Sequence, residues 1–243
     1  MIDYTFVCVF NNASILNAFT KQSLKNMDGD FDIILIDNTD NKYESMSAAY
    51  NSIIGSIQTK WVFFLHQDIN VGKDFLQRFE TMICMIENKK VGVIGVAGCK
   101  QSDSCIYSNI RYGPNLVMAG KERVDKPVEV QTLDECLFAI KYDVLKQYPF
   151  DEIVCNNWHL YCVDRCLELI RNSYHNYVIG MDLEHHSKKV SMNKEYFITL
   201  KRVMKKYENQ FSNINTTCGN WEYKRRRRIM WLLFKERIKE VLK

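Results

Sequence analysis

The chain has 243 residues, 47% of them hydrophobic, with only 10 glycines and 3 prolines. That supports a sizeable core, excludes disorder and leaves no long linker, so it reads as one large domain or a domain plus an appendage. The net charge is +4, but residues 224–243 alone hold nine basic and two acidic side chains, so the basic character belongs to the tail.

Thr5 to Phe10 reads as a first buried strand ending at Asn11-Asn12, with a helix behind it capped by Asn12 or Ser14. Phe31 to Ile36 is a second strand, ending in Asp37-Asn38-Thr39-Asp40. Glu44 to Ile57 reads as a helix and Trp61 to Leu65 as a third strand. Lys73 to Glu87 carries Phe75, Phe79, Met82, Ile83 and Ile86 on one helical face. Val91 to Ala97 is a fourth strand. Residues 98 to 127 are polar and irregular, a length of loop that in a compact domain is functional or disordered. Cys136 to Ile140 is a further strand leading to a helix near Asp143. Trp158 to Ile170 reads as helical, Tyr177 to Leu183 as a last strand, and Phe197, Leu200, Met204, Tyr207 and Phe211 as a helix face. Strands alternating with helices predict βαβ units and a mostly parallel sheet with flanking helices, an α/β fold.

The six residues Lys60 to Leu65 contain no acid and stop on His66-Gln67-Asp68. Ligands in open α/β sheets sit outside the carboxyl ends of the strands. Polar residues close four predicted strands: Asn11-Asn12, Asp37-Asn38, His66-Gln67-Asp68 and His185-His186. Asp68 and His66 with His185 or His186 make a mixed oxygen and nitrogen donor set. That set suits Mn²⁺ better than Mg²⁺, which prefers oxygen alone. Asp37 beside Asn38 can read a base edge or ribose hydroxyls. Neither a G-x-G-x-x-G loop nor a Walker A sequence occurs, which excludes a dinucleotide dehydrogenase and a P-loop enzyme.

These motifs, in this order, resemble the family 2 glycosyltransferases of the GT-A fold, most closely the branch named after streptomycin biosynthesis. The resemblance covers roughly residues 4 to 190. It rests on the strand and polar turn at Val7 to Asn12, Ile36-Asp37-Asn38-Thr39, Ala49-Tyr50-Asn51, the His66-Gln67-Asp68 metal motif, Leu133-Asp134-Glu135-Cys136-Leu137, Phe150-Asp151-Glu152, Val163-Asp164-Arg165-Cys166-Leu167-Glu168 and Glu184-His185-His186-Ser187. It implies a nucleotide-sugar donor, a glycan or lipid-linked acceptor, inversion and a divalent metal. It assigns nucleotide contacts to Asn11, Asp37, Asn38 and Asn51, metal binding to His66, Asp68, His185 and His186, and the catalytic base to Asp164, with Asp134 and Glu135 as alternatives. Two positions depart from the family: its metal motif opens on an acid where this chain has His66, and its Glu-Asp before the acid matched by Asp164 is here Tyr161-Cys162. The rival readings are a sugar-phosphate nucleotidyltransferase, which usually needs a Gly-rich signature near the first strand, and a non-catalytic nucleotide- or glycan-binding module.

The expected division is a GT-A domain over 1–190 and a helical C-terminal segment over 191–243. The nine cysteines are odd in number and include no Cys-x-x-Cys pair, which predicts reduced thiols in a cytoplasmic protein. Cys155, His159, Cys162 and Cys166 match no common zinc knuckle. Residues 1 to 4 lack the features of a signal peptide, and no apolar run approaches the roughly 18 residues that cross a bilayer. In the tail, Lys224 to Arg228 precedes a helical pattern with Met230, Phe234, Ile238 and Val241 on one face and Trp231 and Leu242 beside it. Such a helix lies in an anionic membrane interface, here the inner face of the membrane, or packs its apolar face on the domain. No nucleic-acid motif accompanies the basic run.

Overall fold

The computed structural model describes residues 3–187 and 192–241. Strand β1 (Tyr4–Phe10) leads through α1 (Ala13–Ala18) and α2 (Thr20–Lys25) to β2 (Asp32–Asp37). Helix α3 (Met46–Asn51) precedes β3 (Trp61–Leu65), β4 (Ile69–Val71) and α4 (Phe75–Cys84). Then come β5 (Val91–Gly95), β6 (Ala97–Cys99), β7 (Ile106–Ser108), β8 (Ile110–Tyr112), β9 (Val117–Met118), β10 (Val128–Val130), β11 (Thr132–Leu133) and β12 (Leu137–Lys141). The rest runs α5 (Tyr142–Gln147), α6 (Tyr161–Arg171), β13 (His175–Val178), β14 (Leu183–His185), α7 (Lys194–Lys206), β15 (Asn213–Thr216), β16 (Gly219–Glu222) and α8 (Arg226–Val241).

The central sheet has the order β10-β13-β5-β12-β3-β1-β2. Strand β1 is parallel to β2 and β3, and β5 is parallel to β13. Between these blocks lies β12, antiparallel to both β3 and β5. All five residues of β3 are buried, and their side chains alternate between two cores. Val62 and Phe64 pack on one side of the sheet with Tyr50, Tyr161, Leu200 and Tyr207. Trp61, Phe63 and Leu65 pack on the other with Leu16, Leu24, Phe75 and Phe79. Phe63 stacks on Phe6 at 4.6 Å between centroids. A strand covered on both faces has no solvent side, which is why its sequence is apolar throughout rather than alternating. Burying each such side chain contributes about 1.5–3 kcal/mol.

Four elements differ from expectation. The run Val91 to Ala97 breaks at Val96, because Ala97 to Cys99 leaves the main sheet to join β7 and β11. The run from Tyr177 to Leu183 divides too: β13 stays in the main sheet, while β14 pairs with β4 and β8 in a separate four-stranded sheet. The stretch 98–127 is a set of short strands, not one open loop. The C-terminal segment is not purely helical, since β15 and β16 form a hairpin. That segment also shares the first core, through Tyr196, Leu200, Val203, Ile214, Trp221 and Ile229.

Helix α8 divides its apolar residues between two sides. Ile229 is buried, and Leu232 and Leu233 pack against the same core. Met230, Trp231, Phe234 and Ile238 are exposed. The helix therefore docks, but by a face the sequence pattern had not singled out. Leu242, counted with the expected apolar face, lies outside the described residues.

Candidate active site

The site begins where β3 ends. The buried Thr20 hydroxyl donates to the carbonyls of His66 (2.7 Å) and Ile69 (3.1 Å) and accepts from Ile69 N–H (3.0 Å), pinning the turn 66–69. Gln67 ties that turn to the end of β1: its Oε1 accepts from the backbone N–H groups of Asn11 (3.1 Å) and Asn12 (3.0 Å), and its Nε2 donates to Asn11 Oδ1 (2.8 Å). Strand β4 then pairs antiparallel with β14, setting His185 opposite Ile69, and His186 N–H donates to the Asp68 carbonyl at 2.9 Å. The result is His185 Nε2 at 3.3 Å from Asp68 Oδ1. Candidate ligand atoms of His66, Asp68 and His185 all lie within 4.8 Å of one another.

The protonation of this trio suits a cation. Burial, and then the charge of His185, push His66 down to about 4, so its ring is neutral at pH 7. Burial alone would raise Asp68, but its bond to His185 and the charges of both histidines outweigh it and hold the carboxyl below its ordinary range. Tyr161 Oη sits 3.1 Å from His66 Nε2 and donates to the Glu135 carbonyl at 3.4 Å. The Tyr161 contact orients the His66 ring; with Nε2 as the donor, the Nδ1 lone pair would be left for a ligand. Two imidazoles and a carboxylate fit a transition-metal ion.

Antiparallel β12 supplies the next pair. Its start, not its end, meets the carboxyl edge of β3, with Leu137 opposite Leu65 and His66 N–H donating to the Cys136 carbonyl at 2.9 Å. Asp134 and Glu135 therefore stand beside the trio. Asp134 accepts from Cys136 N–H at 3.0 Å and from the Thr217 hydroxyl at 2.7 Å. Burial opposes its ionisation, but the Thr217 bond, the His185 charge and the Cys136 N–H together keep its carboxyl below the usual range. Glu135 lies at the start of α6, with Cys162 N–H 3.4 Å from its Oε1. Burial, and then the neighbouring Asp134 charge, push it well above the carboxylate range. Adjacent acids are thus pushed in opposite directions, Asp134 toward its ionised form and Glu135 toward its neutral one, a pattern that acid–base sites share with structural ion-pair networks.

At the β1 and β2 ends, Asn11 is exposed and fixed by Gln67. The Asp37 carboxylate is also exposed. Its Oδ1 accepts from Thr39 N–H (2.9 Å) and Oγ1 (2.7 Å), which lower its pKa.

Four assigned residues do other work. Asn38 is buried and spends its amide on the Tyr43 backbone, Oδ1 accepting at 2.7 Å and Nδ2 donating at 3.2 Å; it shapes the loop after β2 and does not face a base. Asn51 exchanges two bonds with the Phe150 backbone (2.8 and 2.9 Å) and donates to Glu152. It holds the 150–152 segment. His186 points away from the trio, stacking on Phe19 at 4.2 Å and meeting Asn70 and Glu184. Asp164, expected as the base, is 1% exposed. Lys206 Nζ lies 2.9 and 3.0 Å from its two oxygens and the Tyr207 hydroxyl donates to it at 3.0 Å. Asp151 and Glu168 complete that closed cluster around Lys206, so no substrate hydroxyl reaches Asp164. Cys155, Cys162 and Cys166 are buried thiols and form no metal group among the described residues. Thr20, Tyr161 and Thr217 support the site but carried no motif. The only sequence mark near Thr217 is the turn residue Gly219, two positions on.

Residues 5–214 match the model of a glycosyltransferase-like family, and the chain belongs to that family. No curated protein matches it. Among solved structures it is similar to GalNAc-T7 with UDP, GalNAc and Mn²⁺ (TM-score 0.62, 10% identity, 86% of this chain and 49% of that one). It is also similar to Staphylococcus aureus TarS 1–349 with UDP-GlcNAc (TM-score 0.59, 11% identity, 97% and 71%). A third is a mannosyltransferase from Pyrobaculum calidifontis with GDP-Man and Mn²⁺ (TM-score 0.58, 10% identity, 85% and 64%). At these identities the likeness shows the GT-A fold. The chain spans about half the length of GalNAc-T7.

Proposed function

With membership of a glycosyltransferase-like family as the premise, we propose that this protein transfers a hexose from a nucleotide-sugar donor to a hydroxyl of a glycan or lipid-linked acceptor, with inversion. The observation that carries the reading is the His66–Asp68–His185 trio beside the ionised Asp134, at the edge of the sheet where Asn11 and Asp37 are exposed. His66, Asp68 and His185 would hold a divalent ion, Mn²⁺ in preference to Mg²⁺ on donor type. When bound, it would offset negative charge on the departing diphosphate. Asp134 takes the proton of the acceptor hydroxyl, replacing Asp164 in that role, and Thr217 and Cys136 N–H hold it in place. Burial and the Asp134 charge favour the neutral form of Glu135 beside it. Asp37 and Asn11 contact the donor nucleotide. His66 at the head of the metal motif supports the streptomycin-like branch.

Tyr161 and Cys162, in place of the family's Glu-Asp, favour a second reading, a binding module without turnover. One experiment separates the two. The protein is melted with UDP or GDP, with and without Mn²⁺, and then incubated with UDP-GlcNAc or GDP-Man while free nucleoside diphosphate is measured. Metal-dependent stabilisation of about 2.7 kcal/mol at 100 times Kd is expected for either reading. Slow diphosphate release, lost in Asp134→Asn, supports the transferase. Stabilisation without release supports the module, and no stabilisation removes both.

A further inference from the structure

Helix α8 combines two properties that packing on its own chain does not require together. At about 100° per residue, Ile229, Leu232 and Leu233 fall on one side and Met230, Trp231, Phe234 and Ile238 on the other. The first group is the docked face. The second is opposite it and open, with Met230 54%, Trp231 53%, Phe234 60% and Ile238 41% exposed. Large apolar residues scattered singly over a surface need no explanation, but four on one stripe of one helix do. Docking has already used the residues it needs, so the stripe is not left over from the fold.

Charge says what covers the stripe. Exposed Arg227 stands on the same angular position one turn ahead of it, and Lys224 and Arg225 precede the helix. Lys235 places its ammonium 3.8 Å over the Trp231 ring. Arg228 lies over Trp221 at 5.8 Å, on the flank between the docked and open faces. Tryptophan and phenylalanine rimmed by lysine and arginine match the boundary between acyl chains and an anionic headgroup layer. Another protein copy would match the apolar stripe but meet the same basic rim. A nucleic acid would match the rim but leave the stripe in water. No helix among the described residues is long and apolar enough to cross a membrane, so the contact is with the surface.

We propose that α8 is an interfacial anchor, docked on the domain by Ile229, Leu232 and Leu233, that lays Met230, Trp231, Phe234 and Ile238 into an anionic lipid surface. The anchor does not depend on the glycosyltransferase reading.

The test uses the full chain and co-sedimentation with phosphatidylcholine vesicles, with or without phosphatidylglycerol, at low and high salt. Binding is expected only with phosphatidylglycerol, and salt should weaken it. The Trp231→Ser, Phe234→Ser double variant should lose at least about tenfold in partition. Arg227→Gln with Lys235→Gln should lose roughly fivefold per charge. Both variants should melt like the wild type, because all four side chains are exposed. Equal binding to the two vesicle types, or a Trp231/Phe234 variant that binds like wild type, overturns the proposal. So does a dimer in vesicle-free solution that this variant dissociates, which would assign the stripe to a second copy. Stronger retention by single-stranded RNA than by anionic vesicles would assign the rim to nucleic acid instead.

Discussion

Helix α6 touches two clusters of acids, and they behave in opposite ways. At its first turn, Tyr161 and the Cys162 N–H meet His66 and Glu135, where the ligand atoms of His66, Asp68 and His185 converge and, among the described residues, no Lys or Arg pairs with Asp68. On the same first turn, Asp164 points to the other side and is closed in by Lys206 and Tyr207. Both clusters hold acids with shifted pKa values. What separates them is saturation. The Asp164 cluster contains its own counter-charge and is sealed, so it holds α6 to α7. The His66 cluster has only histidine imidazoles against its carboxylate among the described residues and is half-open, an arrangement that could hold a cation. A perturbed carboxylate becomes a functional candidate only once its partners have been counted.

The comparison breaks most visibly at Asp134. Asp134→Asn should lower kcat by a factor of about 10²–10⁴, with donor affinity and melting temperature little changed. An Asp134→Asn enzyme with normal kcat would place the base elsewhere. Next in size, Asp68→Ala should weaken Mn²⁺-dependent nucleotide binding by about 100-fold or more, read by calorimetry, and leave the fold intact. His185→Ala should behave like Asp68→Ala and His186→Ala like wild type; equal losses would show that His186 swings into the site. Asp164→Asn sharpens the other side. It should lower stability by about 2–3 kcal/mol, below the roughly 3–5 expected when a buried charge is left alone, because Asp151 and Glu168 remain beside Lys206. Activity per folded molecule should hold. A large kcat loss at unchanged stability would reverse the two roles.

Glu135 acts only through the pH dependence of stability, and its sign is fixed by burial. Its folded pKa is raised, so the native state keeps a proton that the unfolded chain releases above about 4.3. Its contribution to stability is complete below that pH and falls by about 1.36 kcal/mol per unit as pH rises, until the folded pKa is passed. Glu135→Gln should remove that slope while matching the wild type at low pH. Chemical denaturation across pH 4–8 reads the difference.

The central strands were legible because double-sided burial writes an uninterrupted apolar run, as in Trp61 to Leu65. His66 and Asp68 were legible because they follow such a run, and His185 because it follows a predicted strand, although Asp182 and Glu184 interrupt that one. Asp164 misled because its partner, Lys206, is 42 residues away and leaves no mark near it. Asn38 and Asn51 misled for a related reason. An amide shows that it can make bonds but not where, and Asn51 spends its own on Phe150, 99 residues on. The hairpin of β15 and β16 was hidden because only Ile214 and Trp221 are its buried apolar residues, too few to show a period. The exposed stripe of α8 was read correctly as a face. Its docked side was missed because Ile229, Leu232 and Leu233 are scarcely more apolar than their neighbours.

Strand β12 joins two blocks of the central sheet. Strands β1, β2 and β3 form one parallel block and β5 with β13 another, and β12 lies between β3 and β5. Until residues 137–141 are in place, the facing edges of β3 and β5 are unsealed, the condition under which strands mispair. The same insertion that seals the sheet brings Cys136 to His66, and with it Asp134 and Glu135 to the trio. The site therefore cannot exist in a half-formed molecule. Metal binding by His66, Asp68 and His185 in the presence of Asp134 would report, in a refolding experiment, the moment the sheet closes.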